Sequence, residues 1–326
     1  MLFVMKKELQ LELWHECNSG CKFCYLKGYN GIASNDLKIY ALKQAIKTIS
    51  DLSLYTEKGY NVLGYIGGEF FQGQQNTEEI RQLFLELMDK TNWLRNNGYI
   101  DSVWIYATMT IGDQKDLYTT LERFDTKKNF WLLTSYDTIG RFHTQKMEDN
   151  WKYHMKNISK LYPDIRFNIT SILTGDLLDK YIRDEISFKK MQEEYKSTFF
   201  FKQCGTFQNK TIKEVNEELP NFIPRRDQFL NFLKKFYKEE SKDMWDRLMN
   251  IDYRADALYR MYDTFGRNMV LYTRNKETGV EECKGTEEYH LNPKCGHMTT
   301  YQAYCDSDEC MLCDKTLVQK LYEGGI

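Results

Sequence analysis

A chain of 326 residues that is 42% hydrophobic and 15% aromatic can build one large α/β domain with an appendage, or two domains. Its 45 basic and 47 acidic residues leave a net charge of −2, which excludes a global positive field for gathering nucleic acid and leaves open a local basic groove. No run approaches the roughly 18 apolar residues of a membrane helix, and the N-terminal Met1-Leu2-Phe3-Val4-Met5 is too short for a signal-peptide core. We therefore expect a soluble, cytoplasmic protein with no membrane partner.

Leu9 to His15 is apolar enough for a first strand, and Cys17, Cys21 and Cys24 follow it on a loop. Ser34-Asn35-Asp36 supplies helix N-cap residues, with Leu37, Ile39, Leu42, Ile46, Ile49 and Leu52 at helical spacing behind them. A second strand, Val62 to Ile66, ends in Gly67-Gly68-Glu69. Asn76-Thr77-Glu78-Glu79 opens a helix carrying Ile80, Leu83, Phe84, Leu87 and Leu94. A third strand at Ser102 to Thr110, a short helix from Gln114 to Arg123, and a fourth strand at Asn129 to Ser135 come next. A long helix then puts Met147, Trp151, Met155, Ile158 and Leu161 on one face. Ile165 to Leu173 reads as a fifth strand, followed by Thr174-Gly175-Asp176, one or two helices to about Tyr195, and a sixth strand at Thr198 to Gln203. Six alternations of strand and helix predict a parallel sheet with helices outside and right-handed crossovers. From Glu218 the pattern changes. Residues 226–262 read as helical, with Phe229, Leu230, Leu233, Phe236, Trp245, Leu248, Leu258 and Met261 as apolar positions, and a strand at Met269 to Thr273 leads into a cysteine-rich tail. We place a boundary near 205–225, giving a first unit of residues 1–210 and a helical, cysteine-rich extension of residues 211–326.

Nine cysteines fall into three groups: 17, 21 and 24; Cys204 alone; and 283, 295, 305, 310 and 313. Clustering at both ends points to two metal sites and not to a disulfide scaffold. The first group has CxxxCxxC spacing. Thiolates bind iron, and three of them leave one iron of a [4Fe–4S] cube without a protein ligand, free to take a small molecule. The alternatives are a zinc knuckle completed by His15, or three unrelated thiols.

Gly67-Gly68-Glu69 at the next strand end, together with Cys17, Cys21 and Cys24 and the aromatic Phe23 before the last of them, resembles the radical S-adenosylmethionine (SAM) superfamily. Phe70 stands where that family often has Pro. The resemblance implies an α/β fold, a partial (β/α)6 TIM-like barrel. It implies a [4Fe–4S] cluster whose open iron is chelated by the amino and carboxylate groups of SAM, with Gly67, Gly68 and Glu69 holding the methionine amino group. Functional groups of such barrels collect at the C-terminal strand ends, where these motifs lie.

Ser135-Tyr136-Asp137-Thr138, followed by Gly140-Arg141-Phe142-His143, resembles a Ser-x-Asp-Gly stretch of members with SPASM or twitch extensions, with Thr138 in place of the Gly. The resemblance implies contact of Ser135 with the SAM ribose hydroxyls and of Arg141 with the SAM carboxylate. Asp137 reads instead as a turn residue that satisfies backbone donors. Tyr25 packs near the adenine or in the core. Asn168, Thr170 and Ser171 are polar within an apolar strand, and some of them should point into the barrel. Cys204 reads as a small apolar residue, with a hydrogen-donating or ligating role as the alternative. Cys283, Cys295, Cys305, Cys310 and Cys313, with His290 and His297 among them, imply a second [4Fe–4S] cluster or a structural zinc, although their spacing does not match a full seven-cysteine SPASM set.

The activity so implied is reductive cleavage of SAM to a 5′-deoxyadenosyl radical that takes hydrogen from a substrate, served by an electron donor such as a flavodoxin or ferredoxin. We expect a peptide or protein substrate, although a motif that begins at residue 17 leaves little room ahead of it for a leader-peptide domain. The alternatives are a nucleotide, nucleic acid or other small metabolite, met by stacking aromatics and Arg225-Arg226, and a non-catalytic iron–sulfur scaffold.

Overall fold

The computed structural model describes residues 7–14, 16–17, 19–24, 34–50, 60–71, 76–127, 129–202 and 212–249, and beyond them five short strands between 259 and 299. Strands β1 (Lys7–Glu12), β2 (Tyr60–Ile66), β3 (Ser102–Tyr106), β4 (Phe130–Ser135), β5 (Arg166–Ile172) and β6 (Ser197–Lys202) lie side by side in chain order, and every adjacent pair is parallel. Helices α1 (Asn35–Ser50), α2 (Glu78–Asn96), α3 (Lys115–Arg123), α4 (Gln145–Leu161), α5 (Gly175–Ile182) and α6 (Phe188–Tyr195) occur in the connections. This is the α/β architecture expected of a partial (β/α)6 barrel. Helix starts follow from local chemistry: the side chains of Thr77, Thr144, Thr174 and Ser187 accept the otherwise unpaired N–H groups of the first turns of α2, α4, α5 and α6.

The strands alternate as a sheet covered on one face requires. On β4, Phe130, Leu132 and Thr134 are buried, and Trp151 of α4 donates its indole N–H to Thr134 Oγ1 at 3.1 Å. Trp131 and Leu133 lie on the opposite, half-buried face, as do Asn168, Thr170 and Ile172 of β5. Asn168 and Thr170 therefore face the barrel interior. Ser171 turns to the helix side, where its hydroxyl donates to the Tyr136 carbonyl at 2.5 Å.

Three expectations need correction. Of the stripe expected for α1, Leu42 and Ile49 are buried and Ile39 and Ile46 pack against the core, but Leu37 is 41% exposed and the helix buries Lys38, Ala41 and Ala45 as well. Lys38, itself 1% exposed, pairs with Glu16 and sits 5.7 Å from the Trp14 ring. The third strand ends at Tyr106 and not at Thr110, because Met109 takes a left-handed conformation with φ 55° that an extended strand cannot hold. Residues 226–262 are not one helical run. Helices α7 (Ile212–Glu218), α8 (Arg226–Glu239) and α9 (Lys242–Met249) are followed by strand β7 (Tyr259–Asp263), which pairs in parallel with β1. The outer edge of β1 carries unpaired N–H and C=O groups that a seventh strand satisfies. Strands β8 (Val270–Arg274) and β9 (Glu281–Cys283) extend the sheet antiparallel, and β10 (His290–Leu291) pairs with β11 (Met298–Thr299).

At the other edge, α8 packs on α5 and α9 lies against β6. Phe236 joins Tyr181, Phe188, Phe201 and Phe232 in one aromatic cluster, with ring centroids 5.1–6.1 Å apart. Helices α7–α9 thus share the core of the six-stranded sheet.

Candidate metal and cofactor site

The loop that carries Cys17, Cys21 and Cys24 is tied to the C-terminal ends of three strands and to α1. Gly68 N–H donates to the Trp14 carbonyl at 2.7 Å, and Glu69 N–H donates to the Glu16 carbonyl at 2.8 Å, so the Gly-Gly-Glu turn after β2 is stitched to the start of the cysteine loop. The Glu16 carboxylate pairs with Lys38 of α1. Beyond β3, Thr110 and Ser19 share a hydroxyl hydrogen bond of 3.1 Å. Beyond β4, the Gly140 carbonyl accepts from Lys22 N–H at 2.8 Å, and His143 Nε2 lies 3.1 Å from the Ser19 carbonyl oxygen and 2.9 Å from that of Gly20. Phe23 stacks on Phe222, centroids 5.5 Å apart, and lies close against Gly140.

Gly67 has φ 153°, and a Cβ there would collide with the Trp14 carbonyl oxygen, so the close approach of this turn to the cysteine loop requires glycine. Glu69 is fully buried. One carboxylate oxygen accepts from Phe71 N–H at 2.9 Å, and the other from Thr108 N–H at 2.6 Å and from the Thr108 hydroxyl. Trp14 Nε1–H donates to the Glu69 carbonyl at 3.2 Å. Burial still raises the Glu69 pKa, with Thr108 and the backbone N–H groups opposing it. The carboxylate therefore braces the turn from within, and the groups this segment can offer a ligand are on its main chain.

Ser135, at the end of β4, shares a hydrogen bond of 2.9 Å with the hydroxyl of Tyr106, at the end of β3. Arg141 is buried, donates from Nε to Asp137 Oδ2 at 2.7 Å, and lies 5.7 Å from the Phe23 ring. Asp137 also accepts from Ile172 N–H at 2.8 Å. Its carboxylate thus satisfies a backbone donor, as read for it, but one on the neighbouring strand and not in its own turn, and so joins the ends of β4 and β5. Ser135 and Arg141 come to the same strand-end region as the cysteine loop.

Cys21 is buried, and Cys17 and Cys24 are half-buried. Burial, and next the Glu69 carboxylate, push the Cys17 thiol up to about 12, opposed by the Ser19 N–H that lies 3.5 Å from its sulfur. Burial also raises Cys21, while the Arg141 charge lowers it. The protein alone thus disfavours thiolates at Cys17 and Cys21, and a metal bound there would have to displace the thiol protons. Among the described residues, no three His, Cys, Asp or Glu side chains converge as they would around a single ion. In a cluster each thiolate would hold a different iron.

Tyr25, His15, Cys204, Cys295, His297, Cys305, Cys310 and Cys313 lie outside the described residues. Cys283 ends β9 and His290 begins β10. Sequence reasoning missed Glu16, Lys38, Tyr106, Thr108, Thr110 and the brace from His143. The signal for two of them was present, since Thr108 and Thr110 are hydroxyls at the end of an apolar run. Among the described residues, no helix is long and apolar enough to cross a membrane.

No family model and no curated protein matches the chain. Among solved structures it resembles SuiB of Streptococcus suis, at a TM-score of 0.43 and 14% identity for the protein by itself and for its complex with S-adenosylmethionine. The complex of SuiB with the precursor peptide SuiA aligns at the same TM-score and 15% identity. The likeness covers 80% of this chain and 58–59% of those chains, so the chain spans about three fifths of their length. A likeness of this size carries no argument about function, which rests on the geometry.

Proposed function

We propose that the chain is a radical SAM enzyme in which Cys17, Cys21 and Cys24 hold a [4Fe–4S] cluster and the main chain of Gly67, Gly68 and Glu69 holds the methionine end of SAM. One observation carries the reading: the CxxxCxxC loop and the Gly-Gly-Glu turn, some 50 residues apart in sequence, are joined by hydrogen bonds from Gly68 to Trp14 and from Glu69 to Glu16. When bound and reduced, the cluster supplies the electron that splits SAM into methionine and the 5′-deoxyadenosyl radical. The chain's share is to orient and to shield. Ser135 and Tyr106 offer hydroxyls at adjacent strand ends, a suitable pair for the ribose. Arg141 is fixed by Asp137 and sets a positive charge beside the cysteine loop. The tail cysteines, Cys283 among them, are proposed to hold a second [4Fe–4S] cluster or a zinc.

For the substrate we favour a peptide. The interior face of β4 and β5 offers Trp131, Leu133, Asn168 and Thr170 in half-buried positions, a mixture of apolar surface and amide-matching polar groups that suits peptide side chains and backbone. Arg166, the cation on that face, lies at the start of β5, away from the strand ends, 5.9 Å from the Trp131 ring. A flavodoxin or ferredoxin would supply the electron.

The test is anaerobic reconstitution with iron, sulfide and zinc counted per chain, then 5′-deoxyadenosine measured after reduction with SAM. About eight iron mean two clusters, and about four iron plus one zinc mean the zinc tail. Cys21→Ala should abolish both the first cluster and SAM cleavage. Full cleavage by that variant would sink the assignment, and a wild-type protein that loads iron but never releases 5′-deoxyadenosine would be a scaffold. Salt-sensitive binding of oligonucleotides would move the substrate from peptide to nucleic acid.

A further inference from the structure

We infer that His143 is the positioning residue of the cysteine loop, a role that rests on the cluster reading of Cys17, Cys21 and Cys24. Its Nε2 lies 3.1 Å from the Ser19 carbonyl oxygen and 2.9 Å from that of Gly20. A carbonyl oxygen can only accept, so Nε2 carries the proton and shares it between two consecutive peptide groups. Those peptides flank Gly20, which has φ +60° and is the one left-handed residue among the described positions of the loop. This turn separates Cys17 from Cys21, so its geometry sets the distance between two of the three sulfurs.

The electrostatic consequence is directional. Each peptide is a dipole with its carbonyl and N–H ends opposed. Holding the Ser19 and Gly20 carbonyls on His143 sends the N–H groups of Gly20 and Cys21 to the other side of the turn. A loop about to carry three thiolates is destabilised when carbonyl ends face sulfur and stabilised when N–H ends do, as already seen where Ser19 N–H lies 3.5 Å from Cys17 Sγ. His143 itself is exposed, and its ring makes no contribution to the buried core cluster. The bond from Lys22 N–H to the Gly140 carbonyl, three residues before His143, holds the same two segments together, so the imidazole is delivered from a fixed base. His143 therefore sets the conformation of the loop without touching the reacting atoms.

The experiment compares wild type, His143→Ala and His143→Gln as full chains, the last retaining an N–H donor of similar reach. Hydrogen exchange of the peptide spanning residues 19–24 in the metal-free protein reads the brace directly. We expect His143→Ala to speed that exchange about fivefold, as loss of a hydrogen bond of ordinary strength would, with His143→Gln restoring most of the protection. Thermal unfolding of the metal-free protein should be nearly unchanged, because the side chain is exposed. After reconstitution, His143→Ala should hold less iron and give an altered electron paramagnetic resonance spectrum of the reduced cluster, both recovered in His143→Gln. Unchanged exchange in His143→Ala would overturn the positioning role whatever the iron content. So would full cluster loading with a wild-type spectrum. If wild type takes up no iron while exchange still responds to His143, the cluster reading fails and the link from His143 to the cluster fails with it, but the brace stands.

Discussion

At the scale of single residues, Glu69 shows how a motif residue can act inward. Its buried carboxylate depends on the Thr108 hydroxyl and N–H and on the Phe71 N–H. Thr108→Val should cost about 2 kcal/mol, because a charge-bearing acceptor loses a donor that water cannot replace. Thr110→Val, which removes hydroxyl pairs with Ser19 and Thr108 but no bond to a carboxylate, should cost about 1 kcal/mol. Urea midpoints of the metal-free proteins give the comparison, and equal losses would mean that Glu69 is not the group Thr108 serves. His154 gives a pH dependence. It is buried, donates from Nε2 to the Ile111 carbonyl at 3.1 Å, and in the neutral ring accepts at Nδ1 from the Tyr118 hydroxyl at 3.2 Å. Burial lowers its pKa below the ordinary 6.5, with the Ile111 and Gly112 backbone opposing. The unfolded chain therefore binds the proton first. This contribution is neutral above that ordinary value, and stability falls as pH drops from there toward the folded pKa. Between about pH 7.5 and about pH 5.5, His154→Gln should lose less stability than wild type in urea titrations; parallel losses would place the titration elsewhere.

At the scale of elements, the turn after β4 is the piece that fits the cysteine loop. A Cβ on Gly140 would come within 2.8 Å of the Phe23 ring, and the residue has φ +80°. Gly140→Ala should push Phe23 off Phe222 and cost about 2–4 kcal/mol, with loss of iron uptake after reconstitution. Normal loading of that variant would show that Phe23 is not what seats the loop. Most strands and helices were legible because their patterns are local: Val62 to Ile66 is an apolar run, and Thr77, Thr144 and Ser187 stand where helices begin. Misreadings arose where distant partners decide. Lys38 is buried on α1 because Glu16 pairs with it, and Tyr259–Asp263 becomes a strand because β1, some 250 residues earlier, has a free edge. The same holds for the site. The spacing of the cysteines and the Gly-Gly-Glu run are visible in sequence, whereas Thr108, Thr110 and His143 reach their partners across 39, 91 and 124 residues.

At the scale of the whole molecule, α7–α9 complete the β6 side of the sheet. Phe188, Phe199 and Phe201 are buried in a cluster that Phe232 and Phe236 join. A chain cut after residue 210 should expose that cluster and fail to unfold cooperatively, whereas one cut after residue 249 should keep a cooperative melt in calorimetry. A sharp melt for the shorter chain would mean that the six strands close their core without these helices. The anchoring of the cysteine loop has a thermodynamic corollary. Because the ends of β2, β3 and β4 and helix α1 all hold the loop, unfolding of the barrel breaks every one of those ties, and a metal bound there would be linked to it. Whatever binds the folded state alone raises its stability by RT ln(1 + [L]/Kd), where [L] is the free ligand concentration. The melting temperature of the entire barrel would then serve as a gauge of cluster occupancy, readable without any turnover of SAM.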